Sequence, residues 1–267
     1  MEAVTGTPTS ALRGMVDRYL GYRESLADEV IRDEVAGAYV VLILGWGDPM
    51  DVANPRAPGS GVTAVPSFVA GVFDSVARTR LHGTGEAVQL ILDPLVAGRI
   101  LGLPAGELAN RAVRLDDLPG RWLPALAERL AGADGWPARF GLLERALTDR
   151  LAATPAPDPR LAHALRRLTR DDPRPAIGAL ADEIGWSRRH LAAMLRREVG
   201  ASPVTVARLA RFHRAYRLAG GELPGGWAGV AAACGYFDQA HLIREFHEFA
   251  GAAPAALLRS GAIAPPG

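Results

Sequence analysis

The chain has one cysteine, Cys234, in 267 residues, so no disulfide within it can brace the fold. It has no lysine, and all 30 of its basic residues are arginine. Of six histidines only His82 precedes residue 159, which argues against a histidine-rich metal site in the first half. There is also no glycine-rich phosphate loop and no thiol upstream of residue 159 to act as a nucleophile. No metal, no cofactor and no enzymatic activity are therefore expected. The longest near-continuous apolar run, Ala38 to Leu44, is too short to cross a bilayer. The start, Met1-Glu2-Ala3, lacks the basic and apolar segments of a secretion signal. These two absences predict a cytoplasmic protein without membrane contact.

What remains is an ordinary globular composition, 49% apolar and 22% charged, in a chain long enough for two domains. The net charge of +1 conceals a split. Residues 1–158 carry 15 arginines against 20 acids, and residues 159–267 carry 15 arginines against 9. Between Trp186 and Arg217 there are eight arginines and a single acid, Glu198. Basic charge concentrated in this way suits a polyanionic partner. A solvated basic face is the plainer reading of the same pattern.

Residues 152–159 hold three prolines in five positions and little to bury, so they read as a linker. The domains expected on this basis are 1–153, a linker at 154–159, and 160–260. In the first, Leu12, Val16 and Leu20 have helical spacing and predict a helix over 12–22. Tyr39 to Leu44 reads as a buried strand closed by the turn at Gly45–Pro49, and Ser67–Phe73 and Ala87–Leu92 read as further strands separated by Thr79–Gly85. Helical patterns follow at 95–101, 123–130 and 136–151. The expected fold is α+β, a few strands and then helices. Beyond the linker every segment reads helical, at 161–168, 176–184, 187–199, 203–218, 229–234 and 238–249, giving an all-α carboxy-terminal domain.

That second region repeats itself. Leu180–Trp186 aligns with Val230–Tyr236 at an offset of 50. After one extra residue, His190-Leu191, Leu195, Gly200 and Pro203 align with His241-Leu242, Phe246, Gly251 and Pro254 at an offset of 51. Each copy has a short apolar helix, a glycine turn followed by an aromatic, a capping residue (Ser187 or Asp238) and a longer helix. This is the arrangement of a helix-turn-helix, twice, joined by the helix at 203–218. Helical phase turns Leu191, Met194, Leu195 and Val199 inward and Arg189, Ala193 and Arg196 outward. In the second copy it turns Leu242, Phe246 and Phe249 inward and Ala240, Arg244 and His247 outward. Cys234 aligns with Ile184 and is expected in the core. His190 and His241 occupy matching places 51 residues apart, so they do not converge on one ion.

The stretch Val230 to Leu258, with its alanine-rich helix, Gly-Tyr, Asp cap, His-Leu, Arg-x-Phe and closing Gly-x-x-Pro, resembles the signature of AraC/XylS-type transcription regulators. Ile177 to Pro203 is similar to the other half of that family's DNA-binding domain. The resemblance covers roughly residues 158–260. It implies a sequence-specific regulator whose two units reach successive major grooves of double-stranded DNA. It also implies that the outward faces, near the helix amino ends, make the base contacts. A connector of sixteen residues is about 24 Å long at roughly 1.5 Å per residue, and with the helices it orients can cover the roughly 34 Å between grooves. Arg189 and Arg244 are the expected base readers, since the guanidinium fork pairs two acceptors on guanine. Gln239 is suited to adenine. Arg188, Arg196 and Arg197 are expected mainly on phosphates, with Ser187, Ala240, His241 and His247 on the same faces. Ala193 departs from the larger polar residue common in the family, which weakens base reading by the first unit. The arginines at 208, 211, 214 and 217 form a stripe on the connector, and Arg211 is expected against phosphate.

The family often carries a β-rich effector-binding or dimerising domain at its amino end. Trp46, Asp48, His82 and Gln89, the polar and aromatic residues near the expected strands, are the candidate effector contacts, although packing or turn chemistry is the plainer reading of each. A small-molecule effector, RNA polymerase and a second copy of the chain are the further partners this reading admits. Two alternatives keep the DNA-binding unit and make the first domain an enzyme or a pure protein-interaction module.

Overall fold

The computed structural model describes residues 2–171, 176–220 and 225–259, apart from the side chains of Asp17 and Asp171. Seven strands come first: β1 (Glu2–Gly6), β2 (Val16–Glu34), β3 (Val40–Gly45), β4 (Met50–Ala53), β5 (Val62–Val65), β6 (Phe68–Ala70) and β7 (Ala77–Leu92). Helix α1 (Pro94–Leu101), a 3-10 turn at Ala105–Leu108 and strand β8 (Ala112–Arg114) lead to α2 (Trp122–Ala131) and α3 (Gly135–Ala152). The remainder is helical: α4 (Pro159–Arg166), continued as a π-turn over Arg167–Asp171, then α5 (Ile177–Glu183), α6 (Arg188–Glu198), α7 (Pro203–Ala219), α8 (Gly226–Ala233), α9 (Gln239–Ala250) and α10 (Pro254–Arg259). The strand-rich first region and helical second region match the expected fold class.

Two strands are much longer than the sequence suggests. The helix expected over residues 12–22 is instead the entry to β2, which pairs with β7 along nearly its whole length, from Val16↔Leu92 to Glu34↔Ala77, with a register break between Leu26 and Val30. Leu12, Val16 and Leu20 have helical spacing by coincidence, because Leu20, Tyr22 and Glu24 already alternate at the strand period of two. Likewise Thr79–Gly85 does not separate strands but belongs to β7. There Ala77, Thr79 and Leu81 are buried and Arg78, Arg80 and His82 exposed, an alternation that fixes one face inward.

The strands form one antiparallel sheet in the order β1-β2-β7-β3-β6-β8, with β4 bridging β7 and β5. Its two faces have different partners. Val40, Leu42 and Leu44 of β3 and Val88, Leu90 and Leu92 of β7 pack with Ile100, Leu123, Leu126, Leu143 and Leu147 of the helices. This cluster continues through Leu161 and Leu165 into the second half of the chain. The opposite face gathers Ile43, Met50, Val52, Val65, Phe68 and Leu81 in a smaller cluster. Buried on both faces, β3 reads as an unbroken apolar run, Val-Val-Leu-Ile-Leu.

Leu42 is fully buried at the centre of the first cluster. Leu42→Ala is expected to lower stability by about 2–5 kcal/mol, read from chemical denaturation. A loss below about 1 kcal/mol would mean that the sheet and helices do not share one core.

Candidate nucleic-acid interface and strand-domain cavity

The two helix-turn-helix units repeat atom for atom at their turns. The Gly185 and Gly235 amides donate to the carbonyls of Asp182 and Ala232, at 3.1 and 3.2 Å, and Trp186 and Tyr236 donate to those of Ala181 and Ala231, both at 2.9 Å. Both glycines have positive φ, +70° and +79°, a conformation that admits glycine at least cost. Ser187 and Asp238 cap α6 and α9 by accepting from the amides of His190 and His241, at 3.1 and 2.7 Å. The aromatic after each glycine then meets the histidine of the next helix edge-on, Trp186 on His190 at 4.6 Å and Tyr236 on His241 at 5.2 Å. The two histidines thus hold the corners of their turns.

Leu191, Leu195 and Val199, and Leu242, Phe246 and Phe249, are fully buried, while Met194 is half-buried. Arg188, Arg189, Ala193, Arg196 and Arg197 are exposed on α6, with Ser187 exposed at its cap. Gln239, Ala240, Arg244 and His247 are exposed on α9, whereas His241 is half-buried. Phe237, the residue by which the second copy exceeds the first, stands out from its turn 89% exposed. Cys234 is buried, and burial pushes its thiol up from the usual value. Among the described residues no group of three or more His, Cys, Asp and Glu is placed to hold a metal ion. None of the described helices is long and apolar enough to cross a membrane.

The strand region encloses a cavity of about 270 Å³ between β2, β3 and β7. Its floor is apolar, with Ile43, Met50, Val52, Phe68 and Leu81. One wall carries Tyr22, Glu24, Arg32, Glu34 and Thr79, and Gln89 also lines the space. The other three residues expected at an effector site lie elsewhere. Trp46 packs on the helices, with the Arg139 guanidinium 4.6 Å from its ring and Trp136 beyond it. Asp48 ties the β7 turn by accepting from the Thr84 amide at 2.7 Å, and His82 is exposed on the outer side of β7. The strand alternation that turns Thr79 and Leu81 inward turns His82 out.

Residues 180–260 match the model of a helix-turn-helix domain. This region is a helix-turn-helix domain of the AraC type. The fold of the whole chain is similar to that of an apo variant of ToxT from Vibrio cholerae, at 13% identity over 90% of this chain and 97% of that one, with a TM-score of 0.50. Wild-type ToxT bound to an unsaturated fatty acid shows 12% identity over 96% of this chain and 94% of that one, with a TM-score of 0.46. The AraC-like transcriptional activator CuxR shows 15% identity over 81% and 87%, with a TM-score of 0.28. No curated protein matches the chain.

Within the AraC-type domain Arg211, expected against phosphate, has partners inside the fold: its guanidinium donates to Glu245 at 2.7 Å and stacks 4.8 Å from the Tyr236 ring. Arg208 joins the same carboxylate at 2.9 Å and also reaches Glu248. Glu245 is only 2% exposed; burial alone would raise its carboxyl, but the hydrogen bonds from Arg211 and Arg208 outweigh that and hold it below the usual carboxylate range. The stripe of arginines on α7 is therefore partly a structural clamp on α9. The signal was present in the sequence, since Glu245 aligns with Met194, an inward position, and an acid there requires a cation nearby. Arg211→Ala is expected to cost about 3 kcal/mol of stability, because it strips a partner from a buried carboxylate. The salt dependence of DNA affinity should stay unchanged, and a flattened slope would return Arg211 to the phosphates.

Two contacts between the strand region and the AraC-type domain are especially close. The Ala36 amide donates to the Phe249 carbonyl at 2.8 Å, and the Ala36 carbonyl accepts from His213 Nε2 at 2.7 Å. Val35 and Gly37, on either side, line the cavity, and Tyr39 meets the His213 ring edge-on at 5.2 Å. The second contact is Gly106 in the 3-10 turn. A Cβ there would fall 2.2 and 2.3 Å from the carbonyl oxygens of Arg197 and Arg196, at the carboxyl end of α6.

His213 is half-buried, and its desolvation pushes it down to about 4, aided by the charge of Arg217 and opposed by its bond to Ala36. Because its folded value lies below the ordinary 6.5, the unfolded chain takes up a proton first as pH falls. Stability should therefore decline by about 3 kcal/mol between pH 6.5 and pH 4 on account of this group. Urea denaturation across that range should show a shallower decline in His213→Gln. An identical decline in the variant would contradict the assignment.

Proposed function

We propose that this protein is a DNA-binding transcription regulator whose strand region responds to a small molecule. The observation that carries this reading is the pair of equivalent helix-turn-helix units, each presenting an exposed arginine-bearing face, on one clamped connector helix. Arg189 of α6 and Arg244 of α9 reach base edges in successive major grooves. Gln239 pairs with adenine, Ala193 and Ala240 offer methyl contacts, and Ser187, Arg188, Arg196, Arg197, His241 and His247 lie along the backbone. The half-buried state of His241 favours a positioning role over a direct one.

The response runs through contacts already described. A molecule in the cavity touches the Val35–Gly37 segment, whose central residue is bonded to both α7 and α9. Any ligand that fits one placement of that segment better than another changes how α9 is held relative to α6, to the extent of its preference. The bound fatty acid belongs to ToxT; for this chain the support for a ligand is its own cavity, a built space with an apolar floor and convergent polar groups.

The test is Arg244→Ala on a duplex selected from a random pool. Specific affinity should fall roughly 5- to 150-fold, the equivalent of about 1–3 kcal/mol, while affinity for unrelated DNA changes little. Equal losses on both would reduce Arg244 to a phosphate contact. Failure to select any duplex would overturn the regulator reading.

A further inference from the structure

The charged groups of the cavity have an order that specifies what it accepts. Arg32 is the one basic side chain among the described residues lining it, and both its terminal nitrogens are committed. They donate to the two oxygens of Glu24 at 3.0 and 2.7 Å, and Glu24 is only 4% exposed. A carboxylate entering the cavity would compete with Glu24 for Arg32, and drawing the guanidinium away would leave that acid buried without its cation, a costly exchange. No lysine exists anywhere in the chain to receive it instead.

Glu34 stands on the same wall, two residues beyond Arg32 and open to solvent. The Thr79 hydroxyl donates to it at 2.8 Å. Two carboxylates against one guanidinium leave the wall with an excess of negative charge. Its reach is visible in the phenols around it. Tyr22 is pushed up to about 12, by burial first and then by Glu24, with Glu34 adding and Arg32 opposing. Tyr39 is raised by burial and then by Glu34. Rings of Tyr22, Tyr39, Phe68 and Phe73 line the same space, and aromatic faces attract cations.

We infer that the cavity binds a small organic amine, its ammonium held at Glu34 among the aromatic rings and its apolar part on the floor of Ile43, Met50 and Val52. This rests on the reading of the strand region as a small-molecule sensor and names the chemistry of its ligand. The ammonium donates to the Glu34 carboxylate, which keeps Thr79, and the Glu24–Arg32 pair is left intact.

The experiment uses the full chain and three probes that share a phenethyl group and differ in charge: phenethylamine, 2-phenylethanol and 3-phenylpropionate. Thermal unfolding should show stabilisation that grows with phenethylamine concentration and is weak or absent with the other two. Glu34→Gln should weaken the amine at least tenfold while retaining the circular dichroism of the parent. Glu29→Gln, removing an acid outside the cavity, should leave the amine effect unchanged. Stabilisation by 3-phenylpropionate or the alcohol equal to or above that of the amine overturns the inference and leaves the sensor reading standing. An equal loss in both variants also overturns it, because the amine would then be reading surface charge. If none of the three probes shifts unfolding and none changes DNA affinity, the inference and the sensor reading fall together, while selection of a duplex still decides the regulator reading.

Discussion

The architecture turns on a buried carboxylate. Glu245 lies on the inward face of α9, among Leu242, Phe246 and Phe249, where a charge survives only if it is answered. Arg208 and Arg211 answer it from the connector helix, with His241 3.5 Å away on the other side. Helix α9 is thereby fixed to the connector in one rotation, and with it the direction of Arg244. In the first unit Met194 occupies the equivalent place, and Leu191, Leu195 and Val199 pack α6 into the apolar core. The two copies share a backbone and differ in what secures them.

The same helix pair is where the strand region makes its attachment. Ala36 bonds both the connector, through His213, and the end of α9, through Phe249. Gly106 lies against the end of α6 so closely that no larger residue fits without movement. Helices α6 and α9 are thus each touched by a different part of the strand-rich region. The segment making the first contact also forms the rim of the cavity. Packed interfaces of this kind hold discrete arrangements rather than deforming smoothly, and on the proposed reading this is how occupancy of the cavity reaches α6 and α9.

The helical half was largely legible from the sequence because its signals are local. A positive-φ glycine, a capping side chain and apolar residues at three- and four-residue spacing each announce themselves, and the duplication made each one count twice. What escaped was a long-range feature, the pairing of Glu245 with arginines some thirty-five residues away, which gives Arg211, expected against phosphate, a partner within the fold. The strand half was less legible for the opposite reason. In β2 the face toward the cavity reads Leu20, Tyr22, Glu24, then Arg32 and Glu34 after a register break, so charge on that face disguised the alternation and the apolar spacing that remained imitated a helix. Those misleading charges are the polar wall of the cavity. Of the four residues expected near an effector, only Gln89 reaches it.

The central claim is that the two reading helices act as one body of fixed spacing, set by the Glu245 clamp and the connector. It is tested most directly by measuring affinity for a selected duplex after about five base pairs, half a helical turn, are inserted between its two half-sites. The account predicts that binding falls to the level of a single half-site, and that a full-turn insertion does not restore it, because the connector cannot lengthen. Affinity that survives either insertion would mean that the units move independently, and the clamp would no longer explain how this protein reads DNA.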